Sequence, residues 1–401
     1  MDTFDYLIIG AGIVGLTTAW ELKRRNPATR ILILEKEPDV GYHASGRNSG
    51  VLHSGIYYAA DTMKAKVCAE GARRMRAFAA EHGIRCEKSG KVIIATGQQD
   101  LPTIERLLKN ASDNGIHAEK LDADTIRQIE PHAYPYEVGI YSPDTAVIDS
   151  PGVVAKLRDL LREQGVTIRF NTPVNRIDPD ARFVDADNHR FAYGFLFNCA
   201  GASADRVAKS FGVGEQYALL PFKGLYYKLA PERDFLVRSN IYPVPDINLP
   251  FLGVHLTRVI SGDVYVGPTA IPALGRENYG LLSGIQIGEA ARVGLHLAEM
   301  YWTNRQNFRH LVHLEMGKYL KANFLAAAQK LVPEVRAEDL LPTKKAGIRP
   351  QLVNIREKRL EMDFVIERTP HSLHVLNSIS PAFTSSFAFA EHIVDRHEQA
   401  A

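Results

Sequence analysis

The sequence predicts an α/β protein built as two interleaved units, and three observations predict it. Residues 5–9, DYLII, read as an apolar strand that runs into the glycine turn GAGIVG and then into a helical pattern. Residues 216–270 are rich in Tyr, Val, Ile, Phe and Pro in near alternation, as an antiparallel sheet is. Signals of the first kind recur after residue 149 and near the C-terminus, so the two kinds of segment alternate along the chain.

The 401 residues suffice for two or three folding units with a cleft between them. With 45% hydrophobic and 23% charged residues, apolar burial can offset the entropy of ordering, which excludes a mostly disordered chain. Lys plus Arg number 48 against 46 Asp plus Glu, mixed throughout, which leaves no electrostatic footprint for nucleic acid. Cys68, Cys86 and Cys199 form an odd, widely spaced set without a CxxC pair. They fit neither a disulfide framework nor a structural zinc site, so reduced cysteines in a cytoplasmic protein, and no metal, are expected. The apolar run from Leu7 to Trp20 follows Asp2 and Asp5 rather than basic residues, and it is shorter than the roughly 18 apolar residues of a membrane span. An integral membrane protein is not expected, while peripheral contact with the inner membrane stays open.

The first unit carries the most specific local pattern. Strand 5–9, the glycine turn, a helix ending near Asn26 and Pro27, and a second strand 31–34 closing on Glu35 follow one another in about thirty residues. Gly10 permits the tight turn, Gly12 lets backbone approach a pyrophosphate, and Gly15 allows close packing of helix on strand. The helix N-terminus offers free N–H groups to phosphate. Glu35 suits the hydroxyls of an adenosine ribose and repels a 2′-phosphate. This is a Rossmann-like dinucleotide site for NAD or FAD. A second βα unit is missing after Glu35; a loop dense in Gly, Ser and His leads instead to a helix over 63–82, which favours FAD.

Further along, 86–95 reads as a strand pair, 98–114 and 122–130 as helices, and 138–148 as strand. A helix from Asp149 stops at Gly165, and strands follow at 166–170, 182–186 and 194–200, with a helix over 203–211. Two or three helices fill 282–330, strands return at 362–367 and 372–376, and a helix closes the chain from Ala382 to His397. The FAD-binding domain is therefore assigned to 1–85, 149–213 and 341–401. A mixed α+β substrate domain on an antiparallel sheet takes 86–148 and 214–340.

GAGIVG with Glu35, HASGRNSGVLHSGIYY, FLFNCAG, PFKGLYYKL, PFLGVHLTR, AGIRPQ and SPAFTSS, in this order, resemble the D-amino-acid oxidase superfamily of flavoproteins over nearly the whole chain. Within it they most resemble the L-2-hydroxyglutarate oxidase and dehydrogenase branch. The resemblance implies FAD-dependent oxidation of L-2-hydroxyglutarate to 2-oxoglutarate, with hydride passing to flavin N5 and a histidine as general base. Oxidation of an amino acid or secondary amine is the alternative, and a noncatalytic flavin-binding protein the alternative of another class. The resemblance also implies a flavin site formed by Gly10, Gly12, Gly15, Glu35, Lys36, Ser45, Asn48, Ser49, Gly50, Val174, Ala200, Gly201, Pro381, Thr384 and Ser385. The segment from Ser380 to Ser386, at a helix N-terminus, would face the pyrimidine ring, where negative charge builds on reduction.

Arg349 lies in a G-x-R-P motif whose arginine, in the amino-acid oxidase and glycine oxidase families, clamps the substrate carboxylate; a surface salt bridge is the plainer reading. His53, just after the Gly/Ser loop, and His255 are rival bases, since an alcohol proton needs an acceptor with a pKa near neutrality. On an alternating strand, either His255 or Arg258 faces the cleft. Lys223, Tyr226 and Arg258 are candidate donors to a second carboxylate. FAD is expected to be noncovalent, and oxygen or a membrane quinone to accept the electrons. Met300, Tyr301, Trp302, Phe308, Met316, Tyr319 and Phe324 belong to the helix core or to a membrane contact.

Overall fold

The computed structural model describes residues 2–246, 251–280, 283–318 and 320–399. Tyr319, and Pro250 at the head of PFLGVHLTR, lie outside them.

The first sheet has five parallel strands in the order Thr167–Arg169, Ile31–Leu34, Asp2–Ile9, His189–Asn198 and Ser372–Val375. Antiparallel strands Val174–Asp178, Phe183–Ala186 and Ile366–Thr369 extend it. Both faces are covered, which is why its central strands are apolar throughout instead of alternating; Ile31–Leu34 is buried at every position. Helices Ile13–Arg25, Met63–Glu81, Ser150–Glu163 and Ala382–Glu398 pack on one another beside it, and Ile8, Leu16, Ala19, Leu157 and Phe389 share one core. The crossing of Met63–Glu81 with Ala382–Glu398 is close because Gly71 has no side chain: a Cβ there would lie 2.4 Å from the Cα of Ser385.

The second sheet runs Arg359–Leu360, Leu340–Asn354, Tyr217–Leu229, Val264–Gly267, His255–Arg258, Asn240–Pro243, Val92–Ile94, Val138–Tyr141 and Glu119–Asp122, with Ile271–Pro272 joined to Tyr217–Leu229. It is antiparallel apart from the parallel pairing of Asn240–Pro243 with Val92–Ile94. A small sheet of Val51–Leu52, Ala146–Ile148 and Cys86–Glu87 joins the two units. Helices Ile287–Thr303, Phe308–Gly317 and Lys321–Gln329 fill the stretch where two or three were expected. Among the described residues, no helix is long and apolar enough to cross a membrane. The three cysteines are free.

Three elements depart from expectation. Leu340–Asn354 belongs to the second sheet, not to a nucleotide-binding piece 341–401, because it pairs along Tyr217–Leu229. The strand pair expected over 86–95 is divided between two sheets: Cys86–Glu87 joins the small one and Val92–Ile94 the large one. Val174–Asp178 is an additional strand; its exposed polar residues and a register shift between Val174 and Arg176 obscure the alternation.

Candidate active site

A cavity of about 480 Å³ runs between the two large sheets, from the carboxyl ends of the parallel strands to the face of the antiparallel sheet.

At the nucleotide end, Gly10 has φ +101°, and a Cβ there would lie 2.6 Å from the carbonyl oxygen of Cys199. A Cβ on Gly15 would lie 2.0 Å from the carbonyl oxygen of Gly10, so the turn folds onto the helix only with glycine at both positions. Gly12 lines the cavity with bare backbone. Around this turn side chains hold backbone. Glu35 accepts hydrogen bonds from Ala11 N at 2.8 Å and Glu37 N at 3.0 Å, and Ser45 Oγ accepts one from Ile13 N at 2.9 Å. The Asn48 side chain bonds backbone at Ser45 and Gly50. Lys36 pairs with Glu37 and Glu277. Glu35, Lys36, Ser45, Asn48, Ser49, Val174, Ala200 and Gly201 all line the cavity. Gly15 does not, being the packing glycine, and neither does Gly50, whose φ of +73° turns the chain past the carbonyl of Ile148.

At the other end of the same wall, helix Ala382–Glu398 begins with no side-chain cap, and Pro381 to Thr384 line the cavity. Thr384 Oγ1 accepts a hydrogen bond from His53 N at 3.2 Å. Ser385 faces away, its backbone against Gly71. A glycine cradle with a cavity-lining carboxylate, and an uncapped helix N-terminus, at opposite ends of an elongated cavity fit an extended dinucleotide carrying a ring system.

The far wall comes from the antiparallel sheet, where the two-residue side-chain period decides which residues reach the cavity. Phe222, Gly224 and Tyr226 line it, with Tyr226 at a register shift between Leu225 and Tyr227. Arg349 pairs with Phe222 across the strands and lines the cavity beside Phe251, its guanidinium 5.0 Å from that ring. Lys223 has the opposite parity, and its ammonium donates to the carbonyl of Gly280 at 2.7 Å. His255 lines the cavity. Arg258, three residues on, points away and donates to the carbonyls of Val237 at 2.7 Å and Gly262 at 2.7 Å, and to that of Asp234. Arg258 and Lys223 are therefore corrected from substrate donors to structural cations.

His53 and His255 share the buried end near Arg349. Burial, reinforced by the nearby Lys91 and Arg349 charges, pushes each imidazole down to about 3. His255 Nδ1 lies 2.9 Å from the carbonyl of Gly253, which assigns its proton to Nδ1 and leaves Nε2 as an acceptor. Its ring stacks on Tyr242 at 3.9 Å and 17°. His53 Nδ1 is buried with no hydrogen-bond partner among the described residues. Sequence reasoning missed Tyr242, Phe251 and Lys91. Each sits in an apolar strand-like stretch, and only the parity of Tyr242 and His255 on paired strands carried a signal.

The chain matches the family model described as FAD dependent oxidoreductase over residues 5–396. It is 34% identical over 396 residues to an L-2-hydroxyglutarate dehydrogenase of Escherichia coli (strain K12), covering 98% of this chain and 93% of that protein. It is also 34% identical over 422 residues to the mitochondrial L-2-hydroxyglutarate dehydrogenase of Homo sapiens, covering 99% and 89%. Among solved structures it resembles a dithionite-reduced L-alpha-glycerophosphate oxidase of Mycoplasma pneumoniae with FAD bound, with a TM-score of 0.78 and 21% identity over 98% of this chain and 94% of that one. A glycine oxidase of Geobacillus kaustophilus gives 0.73 and 17%, over 100% and 96%. The chain belongs to the FAD dependent oxidoreductase family, and FAD is its cofactor.

Proposed function

From that membership, we propose that the protein oxidises L-2-hydroxyglutarate to 2-oxoglutarate. The observation that carries this reading is the meeting of Arg349, His53 and His255 at one buried end of the cavity. Arg349 offers a planar fork to one carboxylate. Tyr226, at the bulge, offers a phenolic donor to the second. When bound, FAD accepts the hydrogen that leaves C2 with its electron pair. Gly10, Gly12, Glu35, Ser45 and the Pro381–Thr384 turn would hold it.

The hydroxyl proton goes to a histidine, and the C–O double bond forms as it leaves. His53 is proposed as that base, since its backbone is tied to Thr384 at the flavin-side helix, with His255 its rival. Charging either imidazole in the empty cavity is costly. The two negative charges of the substrate raise both toward neutrality, so the base becomes effective when substrate is present.

The acceptor of the electrons is proposed to be a membrane quinone. Ile287, Leu295 and Trp302 stand 88%, 73% and 75% exposed along helix Ile287–Thr303, flanked by exposed Arg292, Arg305 and Arg309. An apolar stripe beside cations suits an anionic bilayer surface.

Anaerobic mixing tests the activity. L-2-Hydroxyglutarate should bleach the flavin, and bleaching by an amino acid or secondary amine instead would overturn the substrate. His53→Ala should slow flavin reduction by roughly 10²- to 10⁴-fold. If His255→Ala alone does so, the base is His255. Quinone reduction that outpaces peroxide formation, together with binding to anionic vesicles, is the expected acceptor result.

A further inference from the structure

Lys91, in the SGKVIIA stretch just before strand Val92–Ile94, is wholly buried, with no accessible surface. Its backbone exchanges hydrogen bonds with Ser142, at 3.1 and 2.8 Å, which fixes the strand and aims the side chain inward. Its ammonium has no hydrogen-bond partner among the described residues. It lies over two rings instead, 4.5 Å from the centroid of Tyr57 and 5.1 Å from that of Tyr242. Tyr242 is the ring on which His255 stacks. Lys91 does not line the cavity, so it stands one layer behind the wall that holds His255.

A lone buried cation is costly, and two cation–π contacts recover only part of the cost. Nothing in the packing requires it, since a methionine would fill the same slot between two rings. The groups it faces are His53 and His255, both of which its charge pushes down, together with Tyr57, Tyr242 and the Cys68 thiol.

We propose that Lys91 is a positioning residue that adds to burial in disfavouring protonation of His53 and His255 in the resting enzyme, its ammonium acting through space and through the Tyr242 ring from behind the cavity wall. The inference rests on the reading of one of these histidines as the base. A neutral imidazole is the only form that can accept the hydroxyl proton, and a fixed charge behind it biases the proton toward departure once the product has formed. Burial holds the Lys91 ammonium itself down to about 7. Its charge is therefore present below neutral pH, where it adds to burial in opposing protonation of the two histidines, and is lost above it.

The test uses the FAD-loaded enzyme with ¹³C-labelled histidine, the two imidazole signals being assigned with His53→Gln and His255→Gln. In Lys91→Met, and in Lys91→Gln as a second neutral variant, both imidazoles should titrate at higher pH than in the wild type. In Lys91→Arg they should stay near wild-type values. The acid limb of anaerobic flavin reduction should move up in parallel. For a one-unit shift this gives a roughly tenfold slower reduction at pH values well below the wild-type acid limb, and coincident rates above pH 8. Imidazoles that titrate in the neutral variants where they do in the wild type would overturn the proposal. Shifted imidazoles with an unmoved rate profile would leave it standing and sink histidine base catalysis instead.

Discussion

The two ends of the cavity use polar groups in opposite ways. At the nucleotide end they are already committed: both Glu35 oxygens and Ser45 Oγ accept bonds from backbone amides, and Lys36 is paired to carboxylates. At the substrate end they are held in reserve. His53 Nδ1, on the cavity wall, is buried without a hydrogen-bond partner among the described residues, as are Tyr57 Oη and Lys91 Nζ, which do not line the cavity. The first end is a finished mould of backbone that a cofactor enters. The second keeps an unpaired imidazole on its wall, which suits the small polar substrate proposed above. Rigid satisfaction suits a resident group, while unpaired buried groups suit a ligand that comes and goes, since each unpaired group favours its arrival.

The contrast breaks most visibly at Arg349. Arg349→Met should leave the yellow colour and FAD content unchanged while kcat/KM for the dicarboxylate falls by about 2–5 kcal/mol, roughly 30- to 5,000-fold, chiefly through KM. Loss of FAD from this variant would mean that the two ends are one structure. The complementary change is Glu35→Ala. It removes the acceptor of two backbone amides and the acceptor expected for the ribose hydroxyls, so FAD affinity should weaken by about 1.5–3 kcal/mol, roughly 10- to 160-fold, in a fluorescence titration. Once saturated with FAD, the variant should keep a KM near that of the wild type. A raised KM at full saturation would erase the distinction.

The same contrast explains what was legible in the sequence. The heart of the nucleotide end is contiguous and recognisable by spacing alone: Gly10, Gly12, Gly15 and Glu35 occupy one strand–helix–strand unit whose turn admits only glycine where a Cβ would strike backbone. The substrate end is assembled from His255–Arg258, Tyr217–Leu229 and Leu340–Asn354, which meet only through pairing within the second sheet, and from the residues after Val51–Leu52 of the small sheet. Arg349 stood out by its Gly and Pro neighbours and by the resemblance of its motif, yet its strand was assigned to the wrong sheet, because local pattern carries no information about which distant strand will be its partner. Lys91 was unreadable for a related reason. A lysine before an apolar strand ordinarily marks an exposed strand end, and only the tertiary pairing with Ser142 turns this one inward.

The smallest effects on catalysis are expected where side-chain parity has already removed a residue from the site, and they test whether the boundary of the substrate end is drawn correctly. His255 and Arg258 share a four-residue strand, yet their odd spacing sends them to opposite faces. The Arg258 guanidinium, half-buried, serves the carbonyls of Val237, Asp234 and Gly262, closing a turn on the far side of the sheet from the cavity. Arg258→Met strips those carbonyls of a charged donor and should cost about 1–3 kcal/mol of unfolding free energy in a denaturant titration. Because that turn does not line the cavity, kcat/KM of the folded variant should stay within about twofold of the wild type. Lys223→Met should do still less, since its ammonium makes one hydrogen bond among the described residues, to the carbonyl of Gly280. A large rise in KM in either variant, with stability unchanged, would place that cation at the second carboxylate and show that the strand twists or slips when substrate binds.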